Sequence, residues 1–200
     1  MDFNGASKYI LDRLRTELSP TLLYHCVEHT IDVLEAARRL NESEKIDAES
    51  KILIETAALF HDSGMLIQYT DHEAVSVDLI REILPGFGYS DREIDQTSRL
   101  IMVTKLPQRA VQPDEQILCD ADLDYLGRDD FFIHSFKLRL EWQLNGLKNT
   151  TLNEWIQVQI HFLTEHRYFT KSAILLRNEK KLKFLEELKQ LKSNGEGYNK

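Results

Sequence analysis

Eight glycines and four prolines are the only backbone breakers in 200 residues, and they fall between stretches of helical periodicity rather than inside them. A chain with so few breaks is expected to be all-α. Tyr9, Ile10, Leu14 and Leu18 share helical spacing in a segment from Ala6 to Leu18 that stops before Pro20. A second helix is predicted from Thr21 to Leu40, and its first half, Leu22-Leu23-Tyr24-His25-Cys26-Val27, is apolar on nearly every side, as core helices are. Asp47 is placed to cap a third, through Ile52, Leu53, Ala57, Leu59 and Phe60, which ends at His61-Asp62 with Ser63-Gly64 as its stop. Asp71 is placed to cap the next, which carries Val75, Leu79, Ile80 and Ile83.

Ser90 with Glu93, and Thr151 with Glu154, have capping-box spacing and open two further helices. The first should end near Lys105, because Pro107 follows. Phe132, Phe136, Leu140 and Leu144 recur every four residues in an amphipathic helix predicted from Phe131 to Leu144. A last helix is expected from about Ser172 to Leu191, followed by a disordered tail over 193–200. With no internal repeat and no long linker, residues 1–200 should form one domain, a bundle of about eight to ten helices.

Composition narrows the function. Hydrophobic residues make up 42% and charged residues 29%, an ordinary globular balance. The net charge of -8 argues against a general affinity for nucleic-acid backbone. Anionic ligands must then be held by a metal or by a few placed cations. Cys26 and Cys119 lie in apolar surroundings and read as reduced thiols. The start Met1-Asp2-Phe3-Asn4-Gly5 is unlike a signal peptide and no apolar run is long enough to span a membrane, so a cytoplasmic protein is expected.

The apolar run from Ile52 to Phe60 delivers an adjacent histidine and aspartate at its tip. A buried carboxylate needs a cation, hydrogen-bond donors or a metal. Candidate partners are His25 and His29, four apart and so on one face of the predicted helix, and the aspartates of Asp120-Ala121-Asp122-Leu123-Asp124. Imidazole nitrogens with carboxylate oxygens suit magnesium or a divalent transition metal rather than a thiolate-bound ion. Each element alone has an ordinary explanation; their conjunction in this order points to one metal site. Of the rest, His161, His166, Arg167 and Tyr168 suggest packing of the C-terminal helices, and Arg177 to Lys183 a solvated face.

In Tyr24-His25-Cys26-Val27-Glu28-His29-Thr30-Ile31-Asp32-Val33, Leu59-Phe60-His61-Asp62-Ser63-Gly64 and Ile117-Leu118-Cys119-Asp120-Ala121-Asp122-Leu123, the chain resembles the HD-domain superfamily of metal-dependent phosphohydrolases. The resemblance implies an all-helical fold, with an HD core at about 18–127 and a C-terminal helical extension over 128–192. It assigns the metal ligands to His29, His61, Asp62 and Asp122, with Asp120 the runner-up for the last and Asp124 a supporting candidate. Ala121-Asp122-Leu123 is similar to the Ala-Asp-Leu of cyclic-nucleotide phosphodiesterases, where His25 matches the histidine that protonates the leaving oxygen. Asp62 would orient a water whose pKa the metal lowers from about 15.7 towards 7.

His72, Lys105 and Arg109 are candidate substrate contacts. Thr104, where two-metal members have a further histidine, implies a single tightly held ion, of manganese, magnesium, cobalt, zinc or iron. The expected function is hydrolysis of a phosphoester of a small phosphorylated metabolite, a nucleotide first of all. The alternatives are a non-catalytic nucleotide-binding or regulatory module of the same fold and, behind it, a di-iron oxygenase. A small phosphorylated substrate is the expected partner, membranes and nucleic acid are not, and a homo-oligomer is compatible with this.

Overall fold

A computed structural model describes residues 1–196, and every regular element among them is helical. In chain order these are α1 (Phe3–Glu17), α2 (Val27–Ser43), α3 (Ala48–Phe60), α4 (His72–Ile83), α5 (Asp91–Val103), α6 (Pro113–Asp122), α7 (Phe131–Leu144) and α8 (Leu152–Glu165). The final helix begins as a turn, Lys171–Ala173, widens into a π-helical stretch, Ile174–Asn178, and continues as α9 (Glu179–Glu196). It therefore runs past the end expected near Leu191; of the expected tail, 197–200 lie outside the described residues. No helix among the described residues is long and apolar enough to cross a membrane.

Helix starts follow from local chemistry. The Asp47 carboxylate accepts from the Ser50 amide to open α3, and both foreseen capping boxes, Ser90/Glu93 and Thr151/Glu154, are formed. Asp71 precedes α4 in a left-handed conformation (φ 56°) but makes no side-chain cap, its carboxylate being paired with Lys105. α3 is the central rod, with Leu53, Ile54, Ala57, Ala58, Leu59 and Phe60 all buried. α1, α2, α5 and α6 pack around it, and α9 lies along α8.

Two expectations change. The second helix starts at Val27, not Thr21, and His25 lies before its N-cap, Cys26. The cause is tertiary: the Tyr24 and His25 amides donate to Glu141 Oε2, at 2.7 and 3.0 Å, so an α7 carboxylate takes the place of helical acceptors. The apolar repeat of α7 also faces outward, with Phe136 and Leu140 each 44% exposed and Leu144 57%. Its inner face carries His134, Ser135 and the fully buried Glu141. Each has a partner; Ser135, for example, accepts from Trp155 Nε1 at 3.0 Å.

Candidate metal centre

Four side chains meet where helices end. His29 lies in the first turn of α2, His61 is the C-cap of α3, Asp62 follows it, and Asp122 closes α6. His61 Nδ1 donates to the Ala58 carbonyl at 2.8 Å, which turns Nε2 towards the centre. His29 Nε2 stands 3.5 Å from Asp62 Oδ2 and 3.4 Å from Asp122 Oδ1. His61 Nε2 stands 3.1 and 3.5 Å from the same two oxygens.

His29 Nε2, His61 Nε2 and Asp62 Oδ2 are buried and have no hydrogen-bond partner. Such orphans are costly, about 1–3 kcal/mol each, so convergence of three on one point calls for a common partner. Neighbouring donors bound to one ion at about 2.0–2.2 Å lie roughly 2.8–3.6 Å from one another in tetrahedral or octahedral geometry, and the four histidine–carboxylate separations fall in that window. The residues therefore fit a divalent ion, and His29, His61 and Asp122 meet the spacing such an ion requires.

Burial by itself would raise the Asp62 and Asp122 carboxyls, but the surrounding imidazoles outweigh it. Asp62 is held well below the usual carboxylate range by His61 and His25, and Asp122 falls to about 2 beside His29 and His61. Both stay anionic, as metal ligands must.

The other aspartates of the acidic run face elsewhere. Asp120 accepts from the Phe169 amide at 2.8 Å and from the Thr170 amide and hydroxyl at 2.7 Å each, tying α6 to the start of the last helix. Asp124 takes a two-pronged grip from Arg177, at 2.8 and 2.9 Å, and a further contact from Arg39.

His25, although outside α2, still reaches the centre. Its Nδ1 is hydrogen-bonded to Glu141 Oε1, which also accepts from the Tyr69 hydroxyl at 2.7 Å. Burial tends to raise the Glu141 carboxyl, but His25, Tyr69 and the Tyr24 amide hold it below the ordinary glutamate value. His72 Nδ1 donates to the Tyr69 carbonyl and Nε2 lies 3.1 Å from Asp62 Oδ1. Its burial is outweighed by that carboxylate, which raises its proton affinity. His25, Asp62 and His72 thus form a second trio spaced to hold an ion, joined to the first by Asp62 Oδ2, which stands 3.5 Å from His29 and 3.1 Å from His61, and independent of Thr104.

Lys105 and Arg109 are not part of this assembly: Lys105 pairs with Asp71 and Arg109 is exposed. Glu141 and Tyr69 were not legible as site residues, because nothing in their spacing marks them. A charged residue within an aromatic-rich helix is the one hint, and it is weak. A third acidic and histidine trio, Asp32, Asp130 and His134, is met by Arg128, which lies 3.0 Å from Asp32 and grips Asp130.

Beside the donors opens a cavity of about 280 Å³. Tyr24, His25, Asp62, His72 and Asp122 form one wall, and Leu138, Trp142, Trp155, Val158 and Phe162 of α7 and α8 form the facing one.

The family model described as HD domain matches residues 26–123. An uncharacterized protein of Clostridium beijerinckii is 35% identical over 74 residues, which are 36% of this chain; the match spans 46% of that relative's length. The crystal structure of a predicted HD superfamily hydrolase from an uncultured Thermotogales bacterium superposes with a TM-score of 0.63 at 18% identity, over 94% of this chain and 91% of that one.

Proposed function

We propose that the chain, whose residues 26–123 match the HD domain family model, is a metal-dependent phosphohydrolase of the HD-domain superfamily that hydrolyses a phosphoester of a small phosphorylated metabolite, a nucleotide, in the cytoplasm. The observation that carries this reading is the convergence of three buried, unpartnered donor atoms, from His29, His61 and Asp62, with both histidines also facing Asp122.

His29, His61, Asp62 and Asp122 are the residues that would hold a divalent ion. When bound, such an ion supplies Lewis acidity, polarising a phosphoryl oxygen and making a water ionisable near neutral pH. The protein's own groups do the rest. Asp62 presents Oδ2 to the histidines and Oδ1 to His72, so it is fixed on both sides and can orient an attacking water. With Nδ1 occupied by Glu141, His25 has Nε2 as its free atom, and that nitrogen is the proton source for the leaving oxygen. The wall opposite is largely apolar, so it offers few hydrogen-bond partners to water beside the reacting atoms.

The test pairs metal analysis of purified protein with a hydrolysis screen over nucleotides and phosphodiesters in manganese, magnesium, cobalt or chelator. Asp122→Ala is expected to lose both bound metal and hydrolysis while keeping its helical circular dichroism. Retention of both would overturn the ligand assignment. Metal and nucleotide binding without any hydrolysis would instead make the protein a binding module.

A further inference from the structure

Three of the four side chains that converge at the candidate metal centre are held from behind. His61 is turned by the Ala58 carbonyl, which accepts from Nδ1, and Asp62 has its second oxygen, Oδ1, 3.1 Å from His72 Nε2. Asp122 is held in the same way by a loop residue. Gln108, between α5 and α6, donates from Nε2 to Asp122 Oδ2 at 2.8 Å, while Oδ1 faces His29 and His61 at 3.4 and 3.5 Å. Each carboxylate thus has one oxygen directed at the histidines and the other engaged.

The direction of the Gln108 bond is set by chemistry. An ionised carboxylate can only accept, so the carboxamide must present its N–H group, and its oxygen is turned away. Gln108 Oε1 is buried there without a partner, a costly placement that packing alone does not explain. The bond to Asp122 is the only side-chain hydrogen bond of Gln108 among the described residues.

The loop does not depend on that bond. Lys105 pairs with Asp71 at one end, and at the other the Val111 and Gln112 amides donate to Glu115 Oε2 at 2.8 and 2.9 Å. Nor does Gln108 fill a tight space, since it borders a cavity of about 610 Å³ formed with Leu106, Leu123, Phe162 and His166. What the side chain does is confined to the carboxylate it touches.

Resting on the assignment of Asp122 as a metal ligand, we propose that Gln108 is a positioning residue for the ion: by holding Oδ2 it fixes the plane of the Asp122 carboxylate and keeps Oδ1 presented to the ion. Without the bond the carboxylate is free to turn about its Cβ–Cγ axis and offer either oxygen. Groups that orient a metal ligand from behind typically contribute about 10- to 100-fold in metal affinity.

Full-length protein is loaded with cobalt(II), whose visible absorption reports the arrangement of its ligands, and titrated with a competing chelator. Gln108→Met keeps the length of the side chain and removes the donor, and Gln108→Glu keeps its shape and puts an acceptor where the donor was. Both should bind cobalt about 10- to 100-fold more weakly than the wild type and alter the cobalt band, with the metal-free Tm unchanged. Val111→Ala, in the same loop at a side chain 74% exposed, should leave affinity and band as they are.

Wild-type affinity and band in both Gln108 variants overturn the proposal. So does a loss of equal size in Val111→Ala, which would trace the effect to loop packing, and so does a lowered metal-free Tm with the cobalt band unmoved, which would make Gln108 a structural residue. Asp122→Ala separates the two levels. If it keeps cobalt, the ligand assignment falls and the role of Gln108 falls with it. If it loses cobalt while Gln108→Met binds like the wild type, the assignment stands and only the role of Gln108 falls.

Discussion

Glu141 accepts from the Tyr24 and His25 amides, the His25 ring and the Tyr69 hydroxyl, all while fully buried. It is a positioning residue: it fixes His25, and His25 would meet the substrate. Glu141→Gln keeps the volume and removes the charge. Since general acid catalysis is worth about 10²–10⁴-fold, kcat should fall roughly 10- to 100-fold, with bound metal and KM little changed, as read by steady-state kinetics beside metal analysis. A fall in metal content of the same size would make Glu141 part of the ligand scaffold instead. His29, His61, Asp62 and Asp122 were legible in the sequence because their types and order are the signal. Glu141 was not, because its importance comes from four partners 72 to 117 residues away in the chain. The choice between Asp122 and Asp120 also needed coordinates: both are buried or nearly so, and only the direction of α6 decides which one meets His29.

Helices were placed well where local chemistry governs them, as in α3, α5 and α8, whose capping residues were foreseen. They were misread where a distant group intervened. In α7 the four-residue repeat of Phe132, Phe136, Leu140 and Leu144 does not mark the buried face, because Ser135 and Glu141 find partners inside. The two faces should differ in cost. Phe131→Ala is expected to lose about 3–5 kcal/mol and Phe136→Ala less than about 1 kcal/mol, compared by urea denaturation. The turn after α3 is equally specific: a methyl group at Gly64 would collide with the His72 carbonyl where α4 begins. Gly64→Ala should cost about 2–4 kcal/mol, measured as a drop in Tm, since backbone rather than a flexible side chain must give way.

In α9, Lys181 is 1% exposed with no carboxylate partner, its Nζ donating to the His166 carbonyl at 2.6 Å. Burial, helped by Arg167, lowers its pKa to about 8. Between pH 8 and the unfolded value near 10.5 the unfolded chain holds a proton that the folded chain has released, so this group's contribution to stability rises with pH there. Lys181→Met should stabilise the protein by about 1 kcal/mol or more at pH 7. That advantage should shrink by pH 9.5, as read from paired urea midpoints.

At the scale of the whole molecule, the C-terminal helices are tied to the rest by stacked aromatics and by the grip of Asp120 on the start of the last helix. Phe131 and Phe184 stack at 5.1 Å between ring centroids. The tryptophans report on α7 and α8, whereas far-ultraviolet circular dichroism reports on all the helices. The two signals are expected to give one coincident unfolding transition, and separate midpoints would mark the C-terminal helices as an independent unit. Saturation with the correct divalent ion should raise the midpoint of that single transition, the unfolding free energy gaining about 2.7 kcal/mol at 100 times Kd.

The donor atoms all come from segments that end at Asp122, whereas the facing wall of the cavity comes from α7 and α8, beyond the stretch that matches the family model. Inheritance can therefore act on the two unequally. On the proposed reading, substitutions at Leu138, Val158 or Phe162 would reshape the cavity while leaving every donor atom in place, so a lineage carrying this arrangement could exchange one metabolite for another in small steps.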